Sequence, residues 1–149
     1  MFDELERLRE DGVVRYLGFT TEDVSPAAHG LVCDGLFDTV QVNYNLLFQH
    51  AYNPITDAGL LVEATELGLG TITMRTTTSG IFQEWMETVH PQSSQNYARD
   101  LITFVLSNAY VDVALVGMRD PAIVAENADL AATTGDRIDI DQLFRRYRR

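Results

Sequence analysis

The stretch Val113–Asn127 reads VALVGMRDPAIVAEN. An apolar, β-branched run ends at Gly117, and a helix opens at Asp120-Pro121, with an aspartate as cap and proline at the first helical position. A strand, a glycine and a helix mouth in that order form one βα unit. Reading outward, the same order recurs through the whole chain.

Glu4–Asp11 has helical spacing, and Gly12 is a C′ glycine. VVRYLGF (Val13–Phe19) then reads as a strand. Ser25-Pro26 begins a helix within Thr20–Gly35. TVQVNYN (Thr39–Asn45) is the second strand, followed by a loop and a helix over Ile55–Leu67 that stops at Gly68. TITM (Thr71–Met74) is the third strand, and the polar run RTTTSG opens a long loop. Ser93–Ser107 predicts a helix with an apolar face at Tyr97, Leu101, Phe104 and Val105. VDVALVG is the fourth strand, with helices over Pro121–Leu130 and Ile140–Arg148 after it. Strands alternating with helices predict parallel strands joined by right-handed crossovers, in a single domain. Strands this apolar predict a sheet covered on both faces.

Composition narrows the function classes. With 149 residues the chain is long enough to bury a core. No run of about 18 apolar residues is present, and MFDELERLRED lacks the apolar stretch of a secretory signal, so a cytoplasmic location is expected. The formal charge of −11 argues against nucleic acid and anionic membrane as partners. All eleven basic residues are arginines, and four of them crowd into the terminal RRYRR; residues 1–144 alone carry −15. That terminus reads as a solvated helix end with cations at the negative pole of the dipole. His29, His50 and His90 are scattered without ligand spacing, so no metal site is expected. Cys33 stands alone in HGLVCDGLF and is expected to be buried as a small hydrophobe. No G-x-G-x-x-G, P-loop or G-x-S-x-G is present, which removes the dinucleotide fingerprint, the nucleoside triphosphate cradle and the serine-hydrolase elbow.

Three stretches in order resemble the aldo-keto reductase family. LREDGVVRYLGFTTED (Leu8–Asp23) resembles its fifth-strand region, FDTVQVNYNLL (Phe37–Leu47) its sixth strand, and VDVALVGMRDPAIVAEN (Val111–Asn127) its eighth strand and cofactor helix. TITMRTTTSG falls where the seventh strand and its loop belong. The resemblance implies an α/β fold of four parallel βα units, half of a TIM-type (β/α)8 barrel that in full runs to roughly 250 residues. It also implies reduction of aldehydes and ketones with NADP, through a tetrad of Asp, Tyr, Lys and His carried by strands one to four. Those segments are not in this sequence, which has no lysine at all.

What the resemblance carries over is cofactor contact. Thr20 and Thr21 fall where polar residues hold the nicotinamide carboxamide, and Gln41 where a glutamine binds the same group. Met74 stands where many members stack a tyrosine on the nicotinamide ring, with core packing as the other use of that side chain. Gly117 lets the backbone approach a ligand, and the helix start after Met118 and Arg119 favours anions. Arg119 is a charge for a pyrophosphate or a ribose 2′-phosphate, or else an exposed arginine offsetting Asp120, whose carboxylate competes for the same N–H groups. Glu126 and Asn127 match a pair that hydrogen-bonds the adenine edge. Ile123 replaces an arginine that some members use for the 2′-phosphate, so NAD stays open beside NADP.

Three functions follow. The first is a reductase domain that is inactive alone, because reduction needs a tyrosine acid activated by a lysine. The second is a binding or self-associating half-barrel, a homodimer or the complement of a separate N-terminal half, with a small carbonyl substrate only once completed. The third, catalysis by Asp38, Glu63, Glu66 and Glu84, lacks any paired carboxylate spacing. A start at Met1 inside a helix is also compatible with a truncated reading frame. Phe82 and Trp85, in the long loop Thr76–Gln92, are expected to serve helix packing over a substrate wall.

Overall fold

The computed structural model describes residues 2–147. Arg148 and Arg149, half of the terminal arginine cluster, lie outside the described residues. Four strands form one sheet in the order β1 (Gly18–Thr21), β2 (Thr39–Asn43), β3 (Gly70–Met74) and β4 (Val113–Ala114), every pair parallel. The expected α/β fold of parallel βα units is what forms, and the sheet is open, not closed into a cylinder.

Among the described residues, seven α-helices accompany it: α1 (Phe2–Glu10), α2 (Pro26–Cys33), α3 (Leu60–Glu66), α4 (Ile81–Val89), α5 (Ala98–Leu106), α6 (Pro121–Ala132) and α7 (Ile140–Tyr147). The first stops where expected, with Gly12 left-handed at φ 71°. The next is nucleated by Ser25, whose hydroxyl accepts from Ala28 N, and by Pro26 at its first position. Ala28 and Val32, four residues apart, turn inward. Cys33 lies one step round the helix from Val32 and is exposed, which corrects the expectation of burial.

The sheet is covered on one face only, against the expectation of two. Because consecutive strands are neighbours in unbroken order, right-handed crossovers put every connecting helix on the same side. Val40 and Val42 point into that side with Leu60, Leu61, Phe104 and Val105, and all are buried. The alternate residues Thr20, Gln41, Ile72 and Val113 share one cross-strand row on the other face, and each keeps contact with solvent.

Both outer strands are shorter than their apolar sequences predict. Pairing of β1 begins at Gly18, not Val13, and Val13 and Tyr16 are 67% and 71% exposed. Only two residues of VDVALVG pair as β4. A strand needs a neighbour, and each outer edge lacks one. Two aspartates fix where pairing starts. Leu17 N donates to Asp38 Oδ2 at 2.7 Å, and Thr71 N to Asp112 Oδ2 at 2.8 Å. Asp38 and Asp112 each directly precede the next strand along, so one carboxylate aligns two neighbouring strand starts.

Three helices also differ from expectation. The segment read as the first turn of α3 is instead a bridged turn between Asn53 and Ala58, closed by Gly59. Asn96 accepts from Ala98 N and delays α5 to Ala98; Tyr97 sits at the boundary while Leu101, Phe104 and Val105 are buried as predicted. The long loop contains α4, whose start is hidden in sequence behind a left-handed Gly80.

Candidate functional site

The C-terminal ends of the strands and the loops after them carry the candidate residues. On the uncovered face, Gln41 of β2 and Met74 of β3 meet: Gln41 Nε2 donates to Met74 Sδ at 3.4 Å. Thr20 is the cross-strand neighbour of Gln41 and points to the same side. Strand alternation turns Thr21 to the helix side, where its hydroxyl donates to Asp23 O at 2.7 Å. Thus Thr20, Gln41 and Met74 are brought together, and Thr21 is not with them. Asp23, in the loop after β1, accepts from Ser25 N, which holds its carboxyl below the usual carboxylate range.

Above these residues lies a polar network. Asn45 is fully buried and donates from Nδ2 to Asn43 Oδ1 at 3.1 Å and to Arg75 O at 3.0 Å. Arg75 adopts φ 58°, and its guanidinium reaches back to Glu22 at 2.8 Å, tying the loop after β3 to that after β1. Thr78 and Ser79 are also left-handed, at φ 57° and 54°. Such backbone costs of order 1 kcal/mol per residue and persists where the surroundings over-determine it. Here they do: Thr78 N donates to Arg75 O, Thr78 Oγ1 accepts from Phe82 N, and Thr76 Oγ1 donates to Leu115 O. The loop is held rigidly in a shape that helical or extended backbone cannot make.

That loop walls a cavity of about 560 Å³, within the range of small-molecule sites. Thr77 and Gly80 come from the loop, Arg99 from α5, and Gly117, Glu126 and Asn127 from the segment after β4 and from α6. A side chain at Gly117 would meet nothing within 4 Å, so the backbone there faces open space. Met118 and Arg119 do not line the cavity; both are exposed. Asp120 accepts from Ala122 N at 2.8 Å, so it caps α6 as expected, and Arg119 forms no ion pair with it. The cation that does face the cavity is Arg99, which no sequence pattern singles out. The polar loop RTTTSG, by contrast, was a visible signal.

Phe82, Asp38 and Glu63 are in structural use, and Trp85 is not. Phe82 packs edge-on against Tyr97 at 5.5 Å, the helix packing expected of it. Trp85 is 57% exposed, so packing within the chain does not account for it. Asp38 aligns strand starts at the end of the sheet opposite the candidate residues, and Glu63 pairs with His29 between α2 and α3. Among the described residues no cluster of three or more metal-ligating side chains occurs, and no helix is long and apolar enough to cross a membrane.

The chain matches the aldo/keto reductase family over residues 1–131. No curated protein matches it. Among solved structures it is similar to the aldo-keto reductase AKR11C1 from Bacillus halodurans in its holo form, with a TM-score of 0.70 and 12% identity. The likeness covers 94% of this chain and 51% of that one, so the chain spans about half the length of the structure it resembles. At that identity the likeness concerns the fold.

Proposed function

The chain belongs to the aldo/keto reductase family, and on that premise we propose that residues 1–149 are a single domain equivalent to the C-terminal half of the family's barrel, strands five to eight, and dock a nicotinamide dinucleotide. The observation that carries this reading is the cavity, where Gly117, Glu126 and Asn127, singled out from sequence for a nucleotide, line one space. Its volume suits an adenosine moiety, and its wall offers carboxylate and amide groups for an amino edge and hydroxyls. Glu126 and Asn127 hold the adenine edge; the backbone at Gly117, with Met118 and Arg119 beside it, takes the phosphates. Thr20 and Gln41 hold the carboxamide of the nicotinamide and Met74 lies against its ring; Thr21, turned to the helix side, takes no part. The family resemblance implies NADP, and Ile123 keeps NAD as the alternative.

When bound, the dinucleotide supplies the hydride. The chain's own groups bind and orient it, and none of Thr20, Gln41 or Met74 is an acid able to protonate a developing alkoxide at neutral pH. We therefore assign carbonyl reduction only to the chain completed by groups equivalent to the Asp/Tyr/Lys/His set, with the cytoplasm as its compartment. The test is a titration of the purified protein with NADPH and NADH followed by nucleotide fluorescence. Saturable binding is expected, and its absence with both overturns the docking role.

A second reading is favoured by the uncovered sheet face and the two unpaired outer edges: a half-barrel that self-associates or closes on a complementing chain. Exposed Val113, Leu115, Ile123 and Val124 extend the apolar surface from that face to the β4 edge. The two readings are compatible, since closing the sheet leaves the cavity between α5 and α6 in place.

A further inference from the structure

The polar network at the end of β2 fixes which way Asn43 faces. Asn45 Oδ1 accepts from Leu47 N at 3.0 Å and from Phe48 N at 3.1 Å. Two N–H groups on one amide atom identify it as the oxygen, so the other end of Asn45 is the nitrogen. That Nδ2 donates to Arg75 O and to Asn43 Oδ1. The carbonyl end of Asn43 is thereby held against Asn45, and its nitrogen is the end left to face elsewhere. Asn43 is only 5% exposed, yet among the described residues its Nδ2 has no partner. Unlike the unpaired Asn108 Nδ2, it is not sealed from solvent. A nearly buried donor that the fold orients and leaves unsatisfied calls for an acceptor from outside the chain.

Asn43 stands two residues beyond Gln41, hence on the same uncovered face, and is the register partner of Met74. We propose that Asn43 is a further binding residue for the nicotinamide end of the dinucleotide, donating from Nδ2 to the carbonyl oxygen of the carboxamide. The proposal rests on the docking role given above and adds to it the donor that the carboxamide requires. A carboxamide presents an oxygen that accepts and an NH2 that donates. The Thr20 hydroxyl and Gln41 Oε1 are acceptors for the NH2, and Gln41 Nε2 is already engaged with Met74 Sδ. The oxygen is then matched by Asn43, whose amide is held in place before the ligand arrives and so loses little freedom on binding.

The experiment uses the intact chain and three probes: NADH, its 3-acetylpyridine analogue, which keeps the carbonyl oxygen and lacks the NH2, and ADP-ribose, which lacks the ring. Asn43→Asp keeps the acceptor that Asn45 needs and replaces only the donor, with an oxygen that repels a carbonyl. It is expected to weaken NADH and the acetylpyridine analogue alike, by about tenfold or more, and to leave ADP-ribose unchanged. A loss confined to NADH overturns the assignment, because the contact would then be to the NH2; so does an equal loss for ADP-ribose, or no loss at all. The wild-type protein gives a reading free of any folding defect in the variant. In its side-chain amide NMR spectrum the Asn43 NH2 signals should shift with NADH and with the acetylpyridine analogue but not with ADP-ribose, and signals that stay put under NADH overturn the proposal. Failure of all three probes to bind the wild type is a different result: it removes the docking role itself.

Discussion

Gln41 on β2 donates a hydrogen bond to the thioether of Met74 on β3, two side chains that the sheet register sets diagonally on its uncovered face. Sulfur is a weak acceptor, so this amide is held in place without being fully satisfied. It is poised to exchange a poor partner for a better one. Gln41→Ala is expected to weaken NADH or NADPH binding by about 1 kcal/mol, roughly fivefold, while leaving ADP-ribose affinity unchanged. Because Gln41 is half-buried and off the hydrophobic core, stability should move by about 0.5 kcal/mol or less. Parallel titrations with whole and truncated nucleotide check both.

The purified chain alone should not turn over an aromatic aldehyde with NADPH or NADH above the rate without protein. None of Thr20, Gln41 or Met74, the residues proposed to orient the nicotinamide, is a proton donor with a suitably lowered pKa. Turnover that disappears when Gln41 or Met74 is changed would contradict this.

In solution the protein should run above the 16.7 kDa of one chain, as a dimer or a larger assembly. Edge strands with free N–H and C=O groups, next to exposed apolar side chains, bring chains together. Light scattering coupled to size exclusion reads the mass, and a monodisperse monomer would remove the self-associating half-barrel.

Two glycines separate backbone constraint from simple crowding. At Gly59 φ is 135°, and a Cβ would lie 2.6 Å from Ala51 O, a backbone atom that cannot turn away. At Gly18 the nearest atom to a Cβ is Thr39 Oγ1, a side chain on the uncovered face that can rotate. Gly59→Ala should therefore cost about 2–4 kcal/mol and Gly18→Ala about 1 kcal/mol or less, measured by denaturant unfolding.

Tyr52, Tyr110, Asp57 and Asp141, none of which lines the cavity beside Gly117, form an alkaline-sensitive cluster. Tyr52 donates to Asp57 and Asp141, and Tyr110 donates to both oxygens of Asp57. Burial first, and then the two neighbouring carboxylates, raises the Tyr52 phenol well above its ordinary range. A group whose folded pKa is raised contributes its full stability below the unfolded value, about 10, and loses it as pH climbs past that point. Unfolding should become easier above about pH 10, and Tyr52→Phe should flatten that decline at a cost of about 1 kcal/mol near neutrality. Thermal melts between pH 7 and 11 give the comparison.

The sequence disclosed the units of this fold better than their extent. Ser25-Pro26 and Asp120-Pro121 marked helix starts because capping is local chemistry, settled within four residues. The expected strand Val13–Phe19 pairs only from Gly18, because pairing is not local: Val13 and Tyr16 have the right composition and no neighbour. Covered faces on both sides were expected from apolar strands, yet coverage depends on strand order, which apolarity does not encode. Among candidate site residues, Glu126 and Asn127 stood in a recognisable helix and do line the cavity, whereas Arg99 lies in an ordinary helix start. Their meaning comes from α5 and α6 meeting in space.

The unbroken strand order also bears on how the chain is made. Gly18 pairs with Thr39, Thr39 with Gly70, and Ile72 with Val113, so β2, β3 and β4 each dock on the strand synthesised just before. Short separations of this kind keep contact order low for a parallel sheet. On the ribosome, β2, β3 and β4 each find a template already waiting, and the outer edge of β4 stays sticky until another surface meets it.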